Sequence, residues 1–486
     1  MESLLRVSEK KELKLLSYLL VTDDYVTIST LASEFSFSVS NVWRIINKLS
    51  TTFKEHIKIL IKKNTGIKVI ELKSNMDTYL FIKSYYIKNE IKFIILDSLF
   101  HEDYESVQEF CDTNYISVNT FYSKKKELDK LLIINNLWID TKNFSIHSTN
   151  DAYVREFYYL VYWDSFKTSE WPFKTIIKDN LAIPLKNFYN DNNINLNPIE
   201  QEQIYFRLAI MFTRINFQHI FDSNLVDNLI PDAILTFLHS LDNYFFTDMY
   251  IKDIYLEDEV KYLGLLLISN YSSSYIELPI SRKSVIEYYE KLNPLTWQFT
   301  IAFFEKLTVN FVKDENFFTS NYKEIIQIMN FHIYSSFFSK SDALLYFPNY
   351  INDISPIIYK ISEQLIYSLP LEQHPQNIPY LRYFYSLMIE SYFEFKKVNI
   401  AIVLSSDRIF SNRIKHKLIS LYYDSITIVE NYSNTQLNKV DLLISDTNIS
   451  NSSKLFILKY PYSTRNLASL KGEIEKIFLQ INKLNF

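Results

Sequence analysis

Two stretches near the start of the chain carry the same pattern of apolar and polar positions. Residues 27–68 align without a gap to residues 106–147, at a constant offset of 79 residues. Several positions are identical in the two copies: Ser38 and Ser117, Val39 and Val118, Leu49 and Leu128, Lys63 and Lys142, Asn64 and Asn143, Ile67 and Ile146. A pattern repeated at a fixed spacing predicts a repeated structural unit.

Each copy predicts the same order of elements. A first helix covers 10–21 in the first copy and 91–101 in the second, and a short second helix, a tight turn and a third helix follow. The turn is expected to bury Phe37 or Ile116. Hydroxyl residues predict the N-caps of the second and third helices: Thr27 and Ser38 in the first copy, Ser106 and Ser117 in the second. Two short β-branched runs then predict a hairpin, which completes a winged helix-turn-helix module whose third helix enters the major groove of DNA.

The third helix of the first copy separates apolar from polar side chains. Its predicted inward residues are apolar: Val39, Val42, Ile46 and Leu49. Its outward residues can donate to phosphate or read base edges, as Arg does with guanine and Asn with adenine. Together with the N-cap and the wing, the candidate DNA contacts of the first copy are Ser38, Ser40, Asn41, Arg44, Asn47, Lys48, Lys62 and Lys63. The corresponding set in the second copy is Ser117, Asn119, Thr120, Tyr122, Ser123, Lys124 and Lys126.

The distribution of charge favours a nucleic-acid partner for the first copy. The whole chain has a formal net charge of −5 at pH 7. Residues 31–68, however, hold seven basic residues against two acidic ones, a net charge of +5. A local basic face is what contacts with DNA phosphates require. The competing interpretation is a pair of ordinary helical hairpins with solvated faces, and the repeat, the basic wing and the polar third helix together favour double-stranded DNA.

Composition excludes several classes of enzyme. The three glycines, Gly66, Gly264 and Gly472, are not clustered, so a phosphate-cradling loop or a dinucleotide fingerprint is not expected. A single cysteine, Cys111, excludes an intramolecular disulfide and a cysteine-based zinc site. The histidines have no metal-ligand spacing and no catalytic constellation is evident. We therefore expect a protein that is not an enzyme and that needs no metal or cofactor.

Hydropathy predicts no membrane partner. The first 20 residues lack a basic stretch followed by an apolar one, and no segment approaches the roughly 18 uninterrupted apolar residues of a membrane span. These features predict a cytoplasmic protein.

The pattern from about 150 to 396 predicts helices throughout, in two domains. One apolar stripe, Ile204, Leu208, Met211 and Ile215, is extended by His219, and another, Ile325 and Met329, is extended by His332. Both histidines stand in Ile-x-x-x-His-Ile, 113 residues apart. A histidine near the end of an apolar stripe is usually structural. The sharper interpretation is a phosphoacceptor, because added negative charge can repack an interface.

The end of the chain alternates between strand and helix patterns. Four short apolar strands are predicted at 398–404, 425–429, 440–445 and 455–458, with helices at 407–422, where Asp407 is the N-cap, and at 467–481. This order predicts a small α/β unit with a parallel sheet. The first strand runs into Ser405 rather than a cysteine, and no base near Ser405 is evident from the sequence. We therefore expect an interaction module without phosphotransfer chemistry, suited to forming a homodimer.

The predicted fold is thus multidomain and mainly α. It has five domains: winged helix-turn-helix domains at 1–75 and 76–165, all-α domains at 166–282 and 283–395, and an α/β domain at 396–486.

This order of parts resembles the Mga/AtxA-type virulence transcriptional regulators of Gram-positive bacteria. The resemblance covers essentially the whole chain and rests on the order of domains and on the helices SVSNVWRIINKL and SVNTFYSKKKEL. It implies that the helical domains are phosphotransferase-system regulatory domains (PRD), that the tail is similar to the IIB component of sugar permeases, and that the phosphocarrier protein is a partner. His219 and His332 are the best matches to phosphorylated histidines. One departure is visible, since the register of a regulatory histidine before Arg214 holds Arg207.

Two other functions stay open. Regulatory domains of this type also occur in RNA-binding antiterminators, which carry a small β-rich module where this chain has a helical N-terminus. A non-catalytic interaction scaffold is the third possibility. Binding to promoter duplex, to an RNA hairpin or to neither separates the three.

Overall fold

The computed structural model describes residues 2–72, 77–166, 170–240, 253–269, 280–310, 322–339, 354–405, 408–422, 425–429, 440–448, 454–459 and 464–484. These residues form nineteen α-helices and eight strands, so the described chain is mainly helical. It divides into two compact units. One consists of Met1–Leu225 with Phe237–Leu263, and the other of Val226–Thr236 with Gly264–Phe486. The five predicted domains stay predictions, because this division is coarser.

The first unit begins with a helix-turn-helix and a hairpin. Its elements are α1 (Val7–Leu20), α2 (Ile28–Phe35), α3 (Val39–Thr52), β1 (Ile57–Lys62) and β2 (Gly66–Glu71). The two strands pair antiparallel. Val26 joins this hairpin, because it exchanges backbone hydrogen bonds of 2.8 and 2.9 Å with Ile67. The core beneath the hairpin is formed by α1, α3 and the inward residues of β2.

A second helix-turn-helix with its own hairpin follows. Its elements are α4 (Thr78–Lys88), α5 (Ile91–Phe100), α6 (Val107–Thr113), α7 (Val118–Ile134), β3 (Leu137–Asp140) and β4 (Ser145–Ser148). All four predicted N-caps are confirmed, since each hydroxyl accepts a hydrogen bond from the backbone N–H three residues on: Thr27, Ser38, Ser106 and Ser117. The turns also agree, because Ser36 and Tyr115, 79 residues apart, are both left-handed, with φ of 54° and 53°.

The two hairpins differ by one residue in register. Lys62 pairs with Gly66 across a three-residue loop, whereas Asp140 pairs with Ser145 across a four-residue loop. The gapless alignment therefore holds for the helices and the second strand of each hairpin but not for the first strand. The left-handed loop residue moves accordingly, from Asn64 in the first copy to a position that does not align with it in the second.

Three details of the predicted core were wrong. Val39 is 52% exposed, because it stands in the first turn of α3, ahead of the buried part of the helix. Ile45 joins the buried face in its place. Phe37 and Ile116 are only half-buried, since each lies in the turn before the third helix, at the edge of its module.

Helices complete the first unit and lead into the second. They are α8 (Asp151–Phe166), α9 (Lys178–Asp191), α10 (Pro198–Asn216), a 3₁₀ turn at Ser223–Val226, α11 (Asp232–His239) and α12 (Asp253–Ser269). α8 follows β4 almost directly and packs against both α4 and α10. α10 begins with a capping box, in which Asn197 and Glu200 each accept a hydrogen bond from the other's backbone N–H.

The second unit contains five more helices and a parallel sheet. The helices are α13 (Arg282–Leu292), α14 (Leu295–Asn310), α15 (Tyr322–Phe337), α16 (Pro356–Tyr367) and α17 (Ile378–Tyr392). The tail contains β5 (Val398–Val403), α18 (Arg408–Tyr422), β6 (Ile426–Ile428), β7 (Leu442–Ser445), β8 (Leu455–Ile457) and α19 (Thr464–Ile481). The strand order is β6-β5-β7-β8 with every pair parallel, as the sequence predicts. The predicted N-cap Asp407 lies outside the described residues.

Gly66 is expected to be indispensable for the first hairpin. Its φ is +126°, and a Cβ at this position would lie 2.2 Å from the carbonyl oxygen of Val26. Gly66→Ala should therefore break the bridge to Val26 and destabilise the protein by about 1–3 kcal/mol. Gly472 in α19 is the matched control, because nothing lies within 4 Å of its added Cβ. Gly472→Ala should stabilise α19 by about 0.5–1 kcal/mol.

Urea unfolding followed by circular dichroism measures both changes. Equal midpoints for the wild type and Gly66→Ala would contradict the steric argument.

Candidate nucleic-acid interface

The outward face of α3 is polar and accessible, as the sequence predicts. Ser40, Arg44 and Asn47 are exposed, and Asn41 is half-buried. The Arg44 guanidinium donates a 2.9 Å hydrogen bond to Oδ1 of Asn41, one helical turn earlier. This contact restricts the rotamers of Arg44 and holds its remaining donors away from the helix. An arginine in this arrangement can make a bidentate contact to a guanine or to a phosphate.

The serines that begin the third helices have a structural role. The Oγ of Ser38 accepts from the backbone N–H of Asn41 at 3.2 Å, and the Oγ of Ser117 accepts from Thr120 at 3.0 Å. Each hydroxyl therefore fixes the first turn of its helix. Both serines are exposed, so the sequence-based expectation that they also touch DNA stays a prediction.

Lys48 has a buried partner that the sequence analysis missed. Its ammonium lies 2.8 and 3.0 Å from the two carboxylate oxygens of Glu12, a residue only 1% exposed. The Tyr86 hydroxyl donates to the same carboxylate at 2.7 Å. Burial, followed by the contact with Glu12, raises the pKa of Tyr86 above its usual range, so the phenol stays protonated and remains the donor. Lys48 thus ties α3 to α1 and α4, in addition to any contact with DNA.

A signal for this contact is present in the sequence. Glu12 stands three and four residues from apolar positions that share its side of α1, Leu16 and Leu19 included. An acidic residue within an apolar stripe predicts a buried carboxylate that needs a cation. The partner could not be named, because Lys48 is 36 residues away.

The wing of the first module presents lysines. Lys62 and Lys63 are exposed, and the Lys62 ammonium lies 6.0 Å from the centroid of the Tyr25 ring. Lys68, by contrast, donates to the backbone carbonyl of Asp23, so it supports the hairpin. The two wing lysines can therefore provide mobile charge for phosphate contacts.

The second module carries a weaker positive charge. Residues 110–147, the equivalent of 31–68, hold five basic and four acidic residues, a net charge of +1. Lys124 is half-buried and pairs with Glu127 at 2.7 Å, and Lys125 pairs with Asp129 at 2.8 Å. The other candidate residues on α7 are exposed: Asn119, Thr120, Tyr122, Ser123 and Lys126. This helix can therefore offer hydrogen bonds and an aromatic side chain more than net charge.

His219 lies beyond the end of α10, and not on its apolar stripe. The helix ends at Asn216, and Gln218 takes a left-handed conformation with φ of 62°. Hydrogen bonds from Gln218 to Ile215 and from His219 to Arg214 then close the helix in a Schellman motif. The helical periodicity was correct up to Ile215, but the sequence has no glycine to mark the end of the helix.

The ring of His219 contacts the second module. Nε2 lies 2.6 Å from Oε1 of Glu102, in the loop after α5, and the side chain is 21% exposed. The ring of His147 on β4 lies 5.9 Å away, centroid to centroid. Burial, with further contributions from the charges of His219 and Arg214, lowers the pKa of His147. His219 therefore joins the helical part of this unit to the second helix-turn-helix.

His332 is fully buried, with both ring nitrogens in hydrogen bonds. Nδ1 lies 2.8 Å from Oγ1 of Thr300, whose own hydrogen goes to the carbonyl of Thr296, so Nδ1 is the donor. Nε2 lies 2.6 Å from the Tyr385 hydroxyl and accepts from it. Burial, with a smaller effect of His374, lowers the pKa of His332 to about 3. The neutral ring thus serves as a bridge between α14, α15 and α17.

The first unit also contains a buried network of ions that the sequence did not reveal. Arg155 binds both oxygens of Glu259 at 2.6 and 2.8 Å, and both residues are fully buried. Arg214 binds Asp151 at 2.7 Å, and burial is outweighed by the charges of Arg214 and Arg155, which lower the pKa of Asp151. Arg207 pairs with Glu156 at 2.6 Å. Each cation meets a carboxylate, so the network supports packing and leaves no charge for an anionic ligand.

The expected lack of a base beside Ser405 was wrong. Asp446, just after β7, accepts hydrogen bonds from the backbone N–H of Ser405 at 2.8 Å and from its hydroxyl at 2.6 Å. The sequence could not show this, because the parallel order of the strands brings together residues 41 positions apart. A carboxylate in this position would repel a phosphoryl group, so the contact ties the ends of β5 and β7 together.

Comparison with known proteins supports the resemblance. The Mga helix-turn-helix domain matches residues 77–162, which span the second module. The capsule synthesis positive regulator AcpB of Bacillus anthracis is 20% identical over 323 residues, which cover 63% of this chain and 64% of that regulator. The match therefore spans just under two thirds of the length of that relative. Similarity to Mga/AtxA-type regulators is thus confirmed, and none of the described helices is long and apolar enough to cross a membrane.

Replacing Lys48 should destabilise the fold, whereas replacing Arg44 should not. Lys48→Ala leaves the Glu12 carboxylate buried with one donor, at a cost of about 3–5 kcal/mol. The double change Glu12→Gln with Lys48→Ala removes the uncompensated charge and should recover much of that loss. Urea unfolding of the three variants checks this. A Lys48→Ala variant as stable as Arg44→Ala would show that the Glu12 pair has no structural importance.

Proposed function

We propose that the chain is a sequence-specific, DNA-binding transcriptional regulator with two winged helix-turn-helix modules. The observation that carries this proposal is the exposed polar face of α3, which presents Ser40, Arg44 and Asn47 from a helix-turn-helix followed by a basic hairpin. The match of the second module to the Mga helix-turn-helix domain supports it. AcpB is named a positive regulator of capsule synthesis, and control of virulence genes is the corresponding proposal for this chain.

The two modules contribute differently in this proposal. The first supplies charge through Arg44, Lys62 and Lys63, which fixes position on the phosphate backbone. The second supplies Asn119 and Tyr122, which can contact base edges or thymine methyl groups. An RNA-binding antiterminator is disfavoured, because the described N-terminus holds helix-turn-helix elements instead of a small β-rich module.

Duplex binding should depend on salt and on the basic face of the first module. For a 30-base-pair duplex, Arg44→Ala with Lys62→Ala and Lys63→Ala should lower the magnitude of the slope of log K against log salt by about 0.9 per lost contact, or roughly 2.7 in total. Fluorescence anisotropy at several salt concentrations measures the slope. Arg44 tests specificity separately, since loss of one bidentate base contact costs about 1–3 kcal/mol on the preferred site.

Lys186→Ala with Lys291→Ala is a matched control, because both lysines are exposed on helices outside the modules. Binding that is insensitive to all of these changes, or tighter to an RNA hairpin, would reject the DNA-binding proposal. Binding to neither nucleic acid would favour a scaffold.

We further propose that phosphorylation by the phosphotransferase-system phosphocarrier modulates this activity, with PRD-like helical domains as its targets. His219 is the more accessible of the two candidate histidines and touches the second module through Glu102. A phosphoryl group on His219 would place negative charge beside the Glu102 carboxylate and weaken that contact. His332 is buried with both ring nitrogens bonded, so its phosphorylation requires local opening of the second unit.

Incubation with the phosphorylated carrier should therefore label His219 and not His332. Mass spectrometry under alkaline conditions locates the label, and His219→Ala should abolish it. Label found at His332 alone would contradict the order of accessibility. No label at either residue would leave both histidines with a structural role.

We also propose that the C-terminal α/β unit is IIB-like and forms the interface of a homodimer. A groove of about 260 Å³ between α18 and α19 is lined by Leu418, Leu421 and Leu467, with Lys417 and Lys471 beside them. Two-fold protein symmetry would match the two-fold symmetry of duplex operators.

A further inference from the structure

The mixed charges of α1 separate when the helix folds. The sequence of this helix, EKKELK at residues 9–14, alternates acids and bases and has no evident charged face. In the structure Glu9 and Glu12 are buried, 4% and 1% exposed, while Lys11 and Lys14 are exposed. The apolar stripe of the helix therefore takes the acids inward and leaves the lysines outside.

The buried acids are neutralised from elsewhere in the fold. Glu12 holds the ammonium of Lys48, and Glu9 contacts Arg6 at 3.5 Å. Their charge is consequently compensated within the protein. The outer surface of α1 is thus more basic than its composition indicates.

Two aromatic rings fix where the exposed lysines lie. The Lys11 ammonium is 5.5 Å from the centroid of Phe37, and the Lys14 ammonium is 5.5 Å from the centroid of Phe35. Both distances are within the range of a cation–π contact. Phe35 ends α2, and Phe37 precedes Ser38, the N-cap of α3. The two ammonium groups therefore lie beside the turn that leads into the candidate recognition helix.

The second module has no counterpart of this arrangement. Continuing the offset of 79 residues, Glu90 and Phe93 replace the two lysines, and both are buried. Asn114 and Ile116 replace the two phenylalanines. Since both modules have the same backbone order, the lysine–aromatic pairs are not required by the fold.

We propose that Lys11 and Lys14 form a second phosphate-binding element of the first module, which contacts the DNA backbone next to the turn between α2 and α3. This proposal rests on the proposed DNA-binding function and extends its contact surface beyond α3 and the wing. In helix-turn-helix proteins the second helix of the motif enters the groove while the preceding segment crosses the backbone, so charge at the turn meets phosphate. The rings limit the freedom of the lysines, which lowers the entropy lost when phosphate binds. Glu34, exposed on α2, is the acid that opposes this charge.

The test is the salt dependence of binding to a 30-base-pair duplex of random sequence, measured with the full chain. Non-specific binding is electrostatic, so no operator is needed. Lys11→Ala with Lys14→Ala should reduce the magnitude of the slope of log K against log salt by about 1.8, or 0.9 for each lost phosphate contact. Lys11→Arg with Lys14→Arg keeps both charges and should keep the wild-type slope.

The control variant Lys186→Ala with Lys291→Ala makes the same change in net charge on helices outside the modules. It should leave the slope unchanged, and circular dichroism should show wild-type folding for every variant. An unchanged slope for Lys11→Ala with Lys14→Ala, or an equal fall for the control, would overturn this proposal while leaving DNA binding intact. A wild-type chain that does not bind the duplex would instead reject the proposed function itself.

Discussion

A carboxylate that folding removes from water must be met by cations or hydrogen-bond donors, and this constraint organises the first compact unit. Glu12 receives Lys48 and the Tyr86 hydroxyl, and Glu259 receives both ends of the Arg155 guanidinium. In each case the partners come from helices that are far apart in the sequence. A buried pair therefore fixes which helices pack together, and it also decides which charges are left for the surface.

The duplicated modules show how one backbone can carry two kinds of surface. The N-caps and the left-handed turn residue are retained in both copies, because they determine where the helices begin. The charged positions are not retained. In the first copy the acids of α1 turn inward, while in the second copy Lys124 and Lys125 are paired with carboxylates on their own helix. Local ion pairs thus reduce the field of the second module without changing its fold.

The two histidines show the same effect of environment on one sequence pattern. Both stand in Ile-x-x-x-His-Ile. His332 lies within α15, where burial and two hydrogen bonds hold it neutral. His219 lies after a helix end and reaches a carboxylate of the second module. Their chemistry differs because the helix continues through one pattern and stops before the other.

The sequence by itself determined the repeat, the four N-caps, the outward face of α3 and the parallel strands of the tail. These features depend on local periodicity and on hydroxyl caps, which act over one or two helical turns. Only the tertiary structure decided that Lys48 supports Glu12, that Asp446 meets Ser405, and that His219 reaches the second module. Each of these contacts joins residues at least 36 positions apart, and a linear pattern does not say which distant side chains folding brings together.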